Sequence, residues 1–198
     1  MTQRNRSAAR TSGGFLRALA LVAVLTFGAT ACSGDDSSTG DSSQVTKADA
    51  KQASSAVKAG LAAHSDGNLD KATTEYDKAL EYDPKNKFAH YNLALIDEAD
   101  ENYGLAETKY RAALKTDPKY EPALFNLAIL RTKDDPKEAI SLYKSAVVAD
   151  EKDAAAWLNL GLLQRANGET ASGNKNVLRA IALDSTLKDP AKAASGNR

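Results

Sequence analysis

The chain has 198 residues, with 26 Lys and Arg balanced by 26 Asp and Glu, and this zero formal charge argues against a nucleic-acid partner, which needs a basic excess. A hydrophobic share of 42% and a charged share of 26% are those of an ordinary globular protein, which excludes global disorder. One Cys forbids an internal disulfide or a Cys-based zinc site, and two His cannot build a three-His metal centre.

Residues 1–31 carry Arg4, Arg6, Arg10 and Arg17 and no acidic residue, and the last fourteen of them, Ala18 to Ala31, are uncharged. A basic head, a short apolar run and a small-residue end make a secretory signal, 1–31. The run is too short to span a bilayer comfortably, which takes ~20 apolar residues. Its end, Ala29-Thr30-Ala31-Cys32, resembles a bacterial lipobox, which implies cleavage before Cys32 and a lipid on its sulfur. Ala29 departs from the Leu or Val of that pattern. Ala29-x-Ala31 also suits ordinary signal peptidase, which would leave Cys32 as a free N-terminal thiol. The position of the lone Cys favours the lipoprotein. The expected location is therefore extracytoplasmic, at a bacterial cell membrane through the anchor on Cys32, with a soluble secreted or periplasmic form as the alternative.

Residues 32–48 follow as a tether. Ser33 to Ser43 contains only Ser, Gly, Asp and Thr and cannot pack, so it reads as a flexible linker. The sixteen residues from Ser33 to Ala48 reach about 20–24 Å. With residues 1–31 removed, 22 basic and 26 acidic residues remain, a net of −4, so attachment to an anionic membrane has to be covalent. Thr46-Lys-Ala-Asp49 has the form of a capping box with Asp in place of Glu, and predicts a helix starting near 47.

The remainder repeats itself. Asn92, Asn126 and Asn159 are spaced by 34 and 33, each within an aromatic-or-Leu, Asn, Leu, small-residue run. Ala72, Ala106, Ala139 and Gly173 are spaced by 34, 33 and 34, as are Tyr76, Tyr110, Tyr143 and Val177, and Ala79, Ala113, Ala146 and Ala180. Small residues at Gly60, Ala94, Ala128 and Gly161 allow close helix approach, and the Tyr series fills the space between units. Pro84 and Pro118 end helices. Asp66-Gly67 and Asn167-Gly168 mark turns where Gly supplies positive φ. Asp135-Pro136 reads as a cap followed by Pro in a first helical turn. The third unit has lost one residue in this turn.

This spacing and pattern resemble the tetratricopeptide repeat (TPR), a helix-turn-helix unit of 34 residues. The resemblance implies an all-α, right-handed solenoid of about four repeats, at 53–86, 87–120, 121–153 and 154–187, within a domain 49–187 followed by a polar tail 188–198. Repeat four has the family's Trp, Leu and Gly at Trp157, Leu160 and Gly161. The family's Tyr late in the first helix is replaced by Ala63, Asp97, Arg131 and Gln164. Gly173 inside the last helix costs about 1 kcal/mol relative to Ala. No solvating helix follows, so the last helix is expected to fray or to be covered by a partner.

In this family the second, fifth, sixth and ninth positions of the first helix of each repeat line a concave groove. Here these are Phe88 at the second position of repeat two; Val57, Tyr91, Phe125 and Leu158 at the fifth; Lys58, Asn92, Asn126 and Asn159 at the sixth; and Leu61, Leu95, Ile129 and Leu162 at the ninth. The resemblance implies an apolar floor carrying a row of Asn amides, each able to donate to and accept from a peptide backbone. A protein or extended peptide is the expected partner, with weak self-association as a second route. The carboxylate clamp of chaperone-binding repeats is absent, since Pro122 and Asn126 occupy its basic positions in repeat three. No catalytic motif or phosphate loop is found, so no enzyme, no cofactor and no metal are expected. His90 stands at a usual Trp position and reads as a packed ring, His64 as a solvated one. The acidic run Asp97 to Glu101 is expected to face water.

Overall fold

Thr46 opens the first helix through a reciprocal pair of bonds. Its Oγ1 accepts from the Asp49 N–H at 3.1 Å, and the Asp49 carboxylate accepts from the Thr46 N–H at 3.2 Å. The computed structural model describes residues 45–190. The expected signal at 1–31, Cys32, residues 33–44 of the expected tether and residues 191–198 of the tail lie outside the described residues.

Among the described residues the elements are α1 (Lys47–Ser65), α2 (Leu69–Tyr82), α3 (Lys87–Ala99), α4 (Tyr103–Thr116), α5 (Glu121–Asp134), α6 (Pro136–Ala149), α7 (Ala154–Ala166) and α8 (Thr170–Leu183). Each odd helix packs along the even helix that follows it, and each even helix touches the next odd one. The fold is thus all-α, four helix pairs in series. The helix starts at Lys47, two residues before the sequence boundary at 49.

Local chemistry fixes the ends. Asn68, Asn86, Asp135 and Asp153 each cap a helix by accepting a backbone N–H with the side chain. A further series closes the second helix of every pair. Asp83, Asp117, Asp150 and Asp184 donate their N–H to Ala79, Ala113, Ala146 and Ala180, and their carboxylates accept the N–H of the residue two further on, at 2.9–3.1 Å. Pro84 and Pro118 follow the first two of these Asp residues, and no Pro follows the last two.

The core is built from small residues against rings. Ala72, Tyr76 and Ala79 of α2 are fully buried, as are Ala106, Tyr110 and Ala113 of α4. A Cβ on Gly60 would lie 2.5 Å from the Tyr76 ring, so this ring occupies the space a side chain would need. Gly67 and Gly168 have φ of 75° and 85°, as the turns require, whereas repeat two places Glu101 at φ 61°. The turn between α5 and α6 is Asp135 alone, where the other pairs have three residues.

Where the family's late Tyr is missing, polar links tie the two helices of the second, third and fourth pairs instead, while Ala63 is buried in the first. Asp97 pairs with Lys109 of α4. Arg131 donates to Glu138 of α6 at 2.8 Å and to Glu107 of α4 at 3.3 Å. Arg111 completes the ring by reaching Glu107 and Glu138, both at 2.7 Å. Gln164 is buried, donating to Glu169 at 2.7 Å and accepting from Asn176 at 2.6 Å. The expectation that the run 97–101 faces water therefore fails at its first two residues: Asp97 is paired, and Glu98 accepts the Tyr110 hydroxyl at 2.7 Å.

The residues after α8 are tied back to α7. Arg165 grips Asp189 with both Nη atoms, at 2.7 and 2.9 Å, and Asp189 is only 7% exposed. Residues 184–190 thus fold back onto α7, so the start of the chain's own tail meets the last helix pair, for which fraying or cover by a partner is the expectation. Val177 and Ala180 of α8 are fully buried, with Val177 against Gly161 of α7.

Candidate binding groove

First helices present the predicted groove residues in three different settings. Leu61, Phe88 and Ile129 are exposed apolar side chains, at 47%, 46% and 43%. Leu95, Leu158 and Leu162 are half-buried, and Lys58 is exposed. Val57 departs from its expected place: it is buried in the core formed with Tyr76 and Leu93 and lines no groove.

The three asparagines are not equivalent. Asn92 is buried, and its Nδ2 donates to the Phe88 carbonyl at 2.7 Å, within its own helix. Asn126 donates across the repeat boundary to the Tyr91 hydroxyl at 3.1 Å. Asn159 lies with Thr132 beside the Tyr143 hydroxyl. Each Asn follows the core Tyr of the preceding repeat by sixteen residues, as in Tyr110 to Asn126 and Tyr143 to Asn159. The amides of Asn92 and Asn126 thus already hold protein partners, and each repeat presents a different polar edge.

Aromatic rings link α3 and α4 to Tyr120, the residue that caps α5. Tyr91 packs edge-on to Tyr120 at 5.4 Å and tilted to Tyr110 at 5.8 Å, while Phe88 meets Tyr120 at 5.8 Å. The Lys87 ammonium lies 4.9 Å from the Tyr120 ring centre and 5.1 Å from that of Phe88, and bonds Asp117 at 2.6 Å. Lys87 holds the Asp117 carboxyl below its usual range. Burial raises the Tyr91 and Tyr110 phenols, and takes Tyr120 up to about 12, so all three stay neutral at physiological pH. Phe125 packs edge-on to Tyr143 at 5.8 Å in the next repeat.

A cavity of about 900 Å³ spans repeats two to four, lined by Tyr103, Ile129, Tyr143, Asn159 and Leu162 among others, with Glu98, Glu107 and Asp134 contributing carboxylates. It borders the shortened α5–α6 turn through Asp134. The cavity size suits one or two apolar side chains and a stretch of backbone. His90 and Trp157, at equivalent positions, use their ring nitrogens alike: His90 Nε2 lies 3.0 Å from the Pro84 carbonyl, and Trp157 Nε1 donates to that of Glu151 at 3.0 Å. Among the described residues no group of His, Cys, Asp or Glu is arranged to hold a metal ion, and no helix is long and apolar enough to cross a membrane.

No curated protein matches the sequence. Among solved structures the fold is similar to MamA (TM-score 0.60, 18% identity, 71% of this chain and 82% of that one). It is also similar to pilF of Pseudomonas aeruginosa (TM-score 0.62, 24% identity, 71% of this chain and 65% of that one). A tetratricopeptide repeat protein of Parabacteroides merdae aligns with a TM-score of 0.60 at 18% identity, over 69% of this chain and 55% of that one. At these identities the likeness is one of fold. The sequence itself matches the family patterns described as TPR repeat over residues 60–97 and as tetratricopeptide repeat over 129–194, together 104 of the 198 residues. With helix pairs in the same register, the chain belongs to the tetratricopeptide-repeat proteins.

Proposed function

We propose that this protein is an exported scaffold, held at the cell envelope by a lipid on Cys32, that grips an extended segment of another envelope protein in its concave groove. The observation that carries the binding reading is the exposed series Leu61, Phe88 and Ile129 on first helices, continued by the cavity at Ile129, Asn159 and Leu162. Exposed apolar side chains along a concave wall are what an interaction site offers and what a monomer otherwise buries. Asn126, already bonded to Tyr91, keeps its carbonyl oxygen as an acceptor, so repeat three supplies the polar contact. The anchoring reading is supported by the lone Cys at the end of the signal.

A photo-crosslinking residue at Ile129 of the full chain in its native envelope tests the groove, with Leu105 of α4, exposed on a second helix, as the control. Adducts from 129 and not from 105 support the groove. Equal capture from both, or none from 129, counts against it. Detergent-phase partition tests the anchor: Cys32→Ala moves the protein to the aqueous phase if the lipid is present. Wild type already in the aqueous phase means the soluble adaptor or holdase that Ala29-x-Ala31 cleavage would yield.

A further inference from the structure

The junction between the third and fourth repeats inverts the charge pattern of the one before it. At the earlier junction, Lys87 opens repeat two and donates to Asp117, with the Tyr120 ring alongside. One repeat later, Glu121, Asp150 and Asp153 occupy the positions of Lys87, Asp117 and Tyr120. Three carboxylates stand where the earlier junction has an ion pair and a ring.

Two of the three are committed to backbone. Asp153 caps α7, accepting from the Ala155 and Ala156 N–H groups at 2.8 and 3.2 Å. Asp150 accepts the Lys152 N–H at 2.9 Å and closes its turn. Glu121 has no such outlet, and its Oε1 is buried with no donor in reach.

The groups facing Glu121 supply no positive charge. Asp150 and Asp153 approach from the turn that leads into α7. The Tyr91 phenol approaches from α3 and that of Tyr120 from the start of α5. None of the three carboxylates joins a salt bridge among the described residues. A protonated Glu121 can donate to Asp153, whereas an ionised one leaves a buried oxygen unpaired and adds a third negative charge.

We propose that Glu121 and Asp153 form a proton-sharing joint that docks the fourth repeat in mild acid and loosens it as the pH rises towards neutrality. Burial first, and Asp153 second, raise the Glu121 carboxyl to about 7. The folded chain therefore keeps a proton that the unfolded chain has released. The stability this gives is complete below the ordinary carboxylate value and is lost as pH climbs to the folded one, a window from about 4.5 to about 7. Nearest-neighbour coupling in a solenoid confines the effect to the last repeat.

Trp157, the single tryptophan, lies on α7 with its ring bonded to Glu151, between Asp150 and Asp153, and reports on this joint. The test is denaturant unfolding of the full chain followed by Trp157 fluorescence between about pH 5 and about pH 8. The wild-type unfolding constant should rise on the order of tenfold across that window, a figure discounted for partial exposure. Glu121→Gln should remove this rise, and Asp153→Asn, which retains a capping oxygen but takes away the second cause of the shift, should make it smaller. Wild type and Glu121→Gln changing in parallel, or a wild type without the rise, overturns the proposal. If Glu121→Gln does not fold, Asp153→Asn decides: a rise as large as that of the wild type overturns the proposal, and a smaller one supports it.

Discussion

Gly161 and Gly173 face each other across the last helix pair so closely that neither has room for a methyl group. A Cβ on Gly161 would sit 2.8 Å from the Gly173 carbonyl oxygen, and one on Gly173 would sit 2.6 Å from that of Gly161. The cost of Gly in a helix interior, about 1 kcal/mol, is offset here by backbone contact that a side chain would forbid.

Gly173→Ala is therefore expected to destabilise although it improves helix propensity. Overpacking costs of about 1–3 kcal/mol exceed the propensity gain of about 1 kcal/mol. Denaturant unfolding should show a lower midpoint, and an unchanged or higher one would mean that α7 and α8 separate easily.

Glu101 is the one described non-glycine residue at positive φ, in the turn where repeats one and four use Gly67 and Gly168. Glu101→Gly should stabilise by about 0.5–1 kcal/mol, because the left-handed conformation carries a side-chain cost that Gly lacks. A thermal midpoint raised by a few degrees checks it.

Tyr76 and Tyr110 make a matched pair for a hydrogen-bond test. Both rings are fully buried, yet the Tyr110 hydroxyl donates to Glu98 at 2.7 Å while the Tyr76 hydroxyl has no partner. Tyr110→Phe should cost about 2 kcal/mol, the worth of a bond to a charged acceptor. Tyr76→Phe should be neutral or stabilising, since it removes a buried polar atom. Equal losses in the two variants would show that the hydroxyls are satisfied alike.

Asp189→Ala should speed hydrogen exchange across 176–183 and lower stability by about 3 kcal/mol, because it leaves the Arg165 guanidinium without its bidentate partner. Exchange unchanged in that segment would mean that residues 184–190 rest on α7 without holding it.

Much of this was legible because it is local or periodic. The Thr46 box, the glycine turns at 67 and 168 and the small residues at 60 and 161 follow from short-range chemistry that a sequence displays directly. The links made by Asp97, Arg131 and Gln164 were not, since each partner lies on another helix and spacing does not say which way a polar side chain turns. The groove row was read as uniform for the same reason. Asn92 bends to its own helix and Asn126 to the preceding repeat, and Val57 joins the core that includes Tyr76 and Leu93.

The closed ring of Glu107, Arg111, Arg131 and Glu138 ties three helices from two repeats. A solenoid bound only by stacking unzips one unit at a time from its ends. Here the two middle units share cross-braces that have to break together, so they form one cooperative block with a separable unit on either side. Raising ionic strength weakens those braces and divides the block. The middle repeats should then melt together in dilute buffer and separately in concentrated salt.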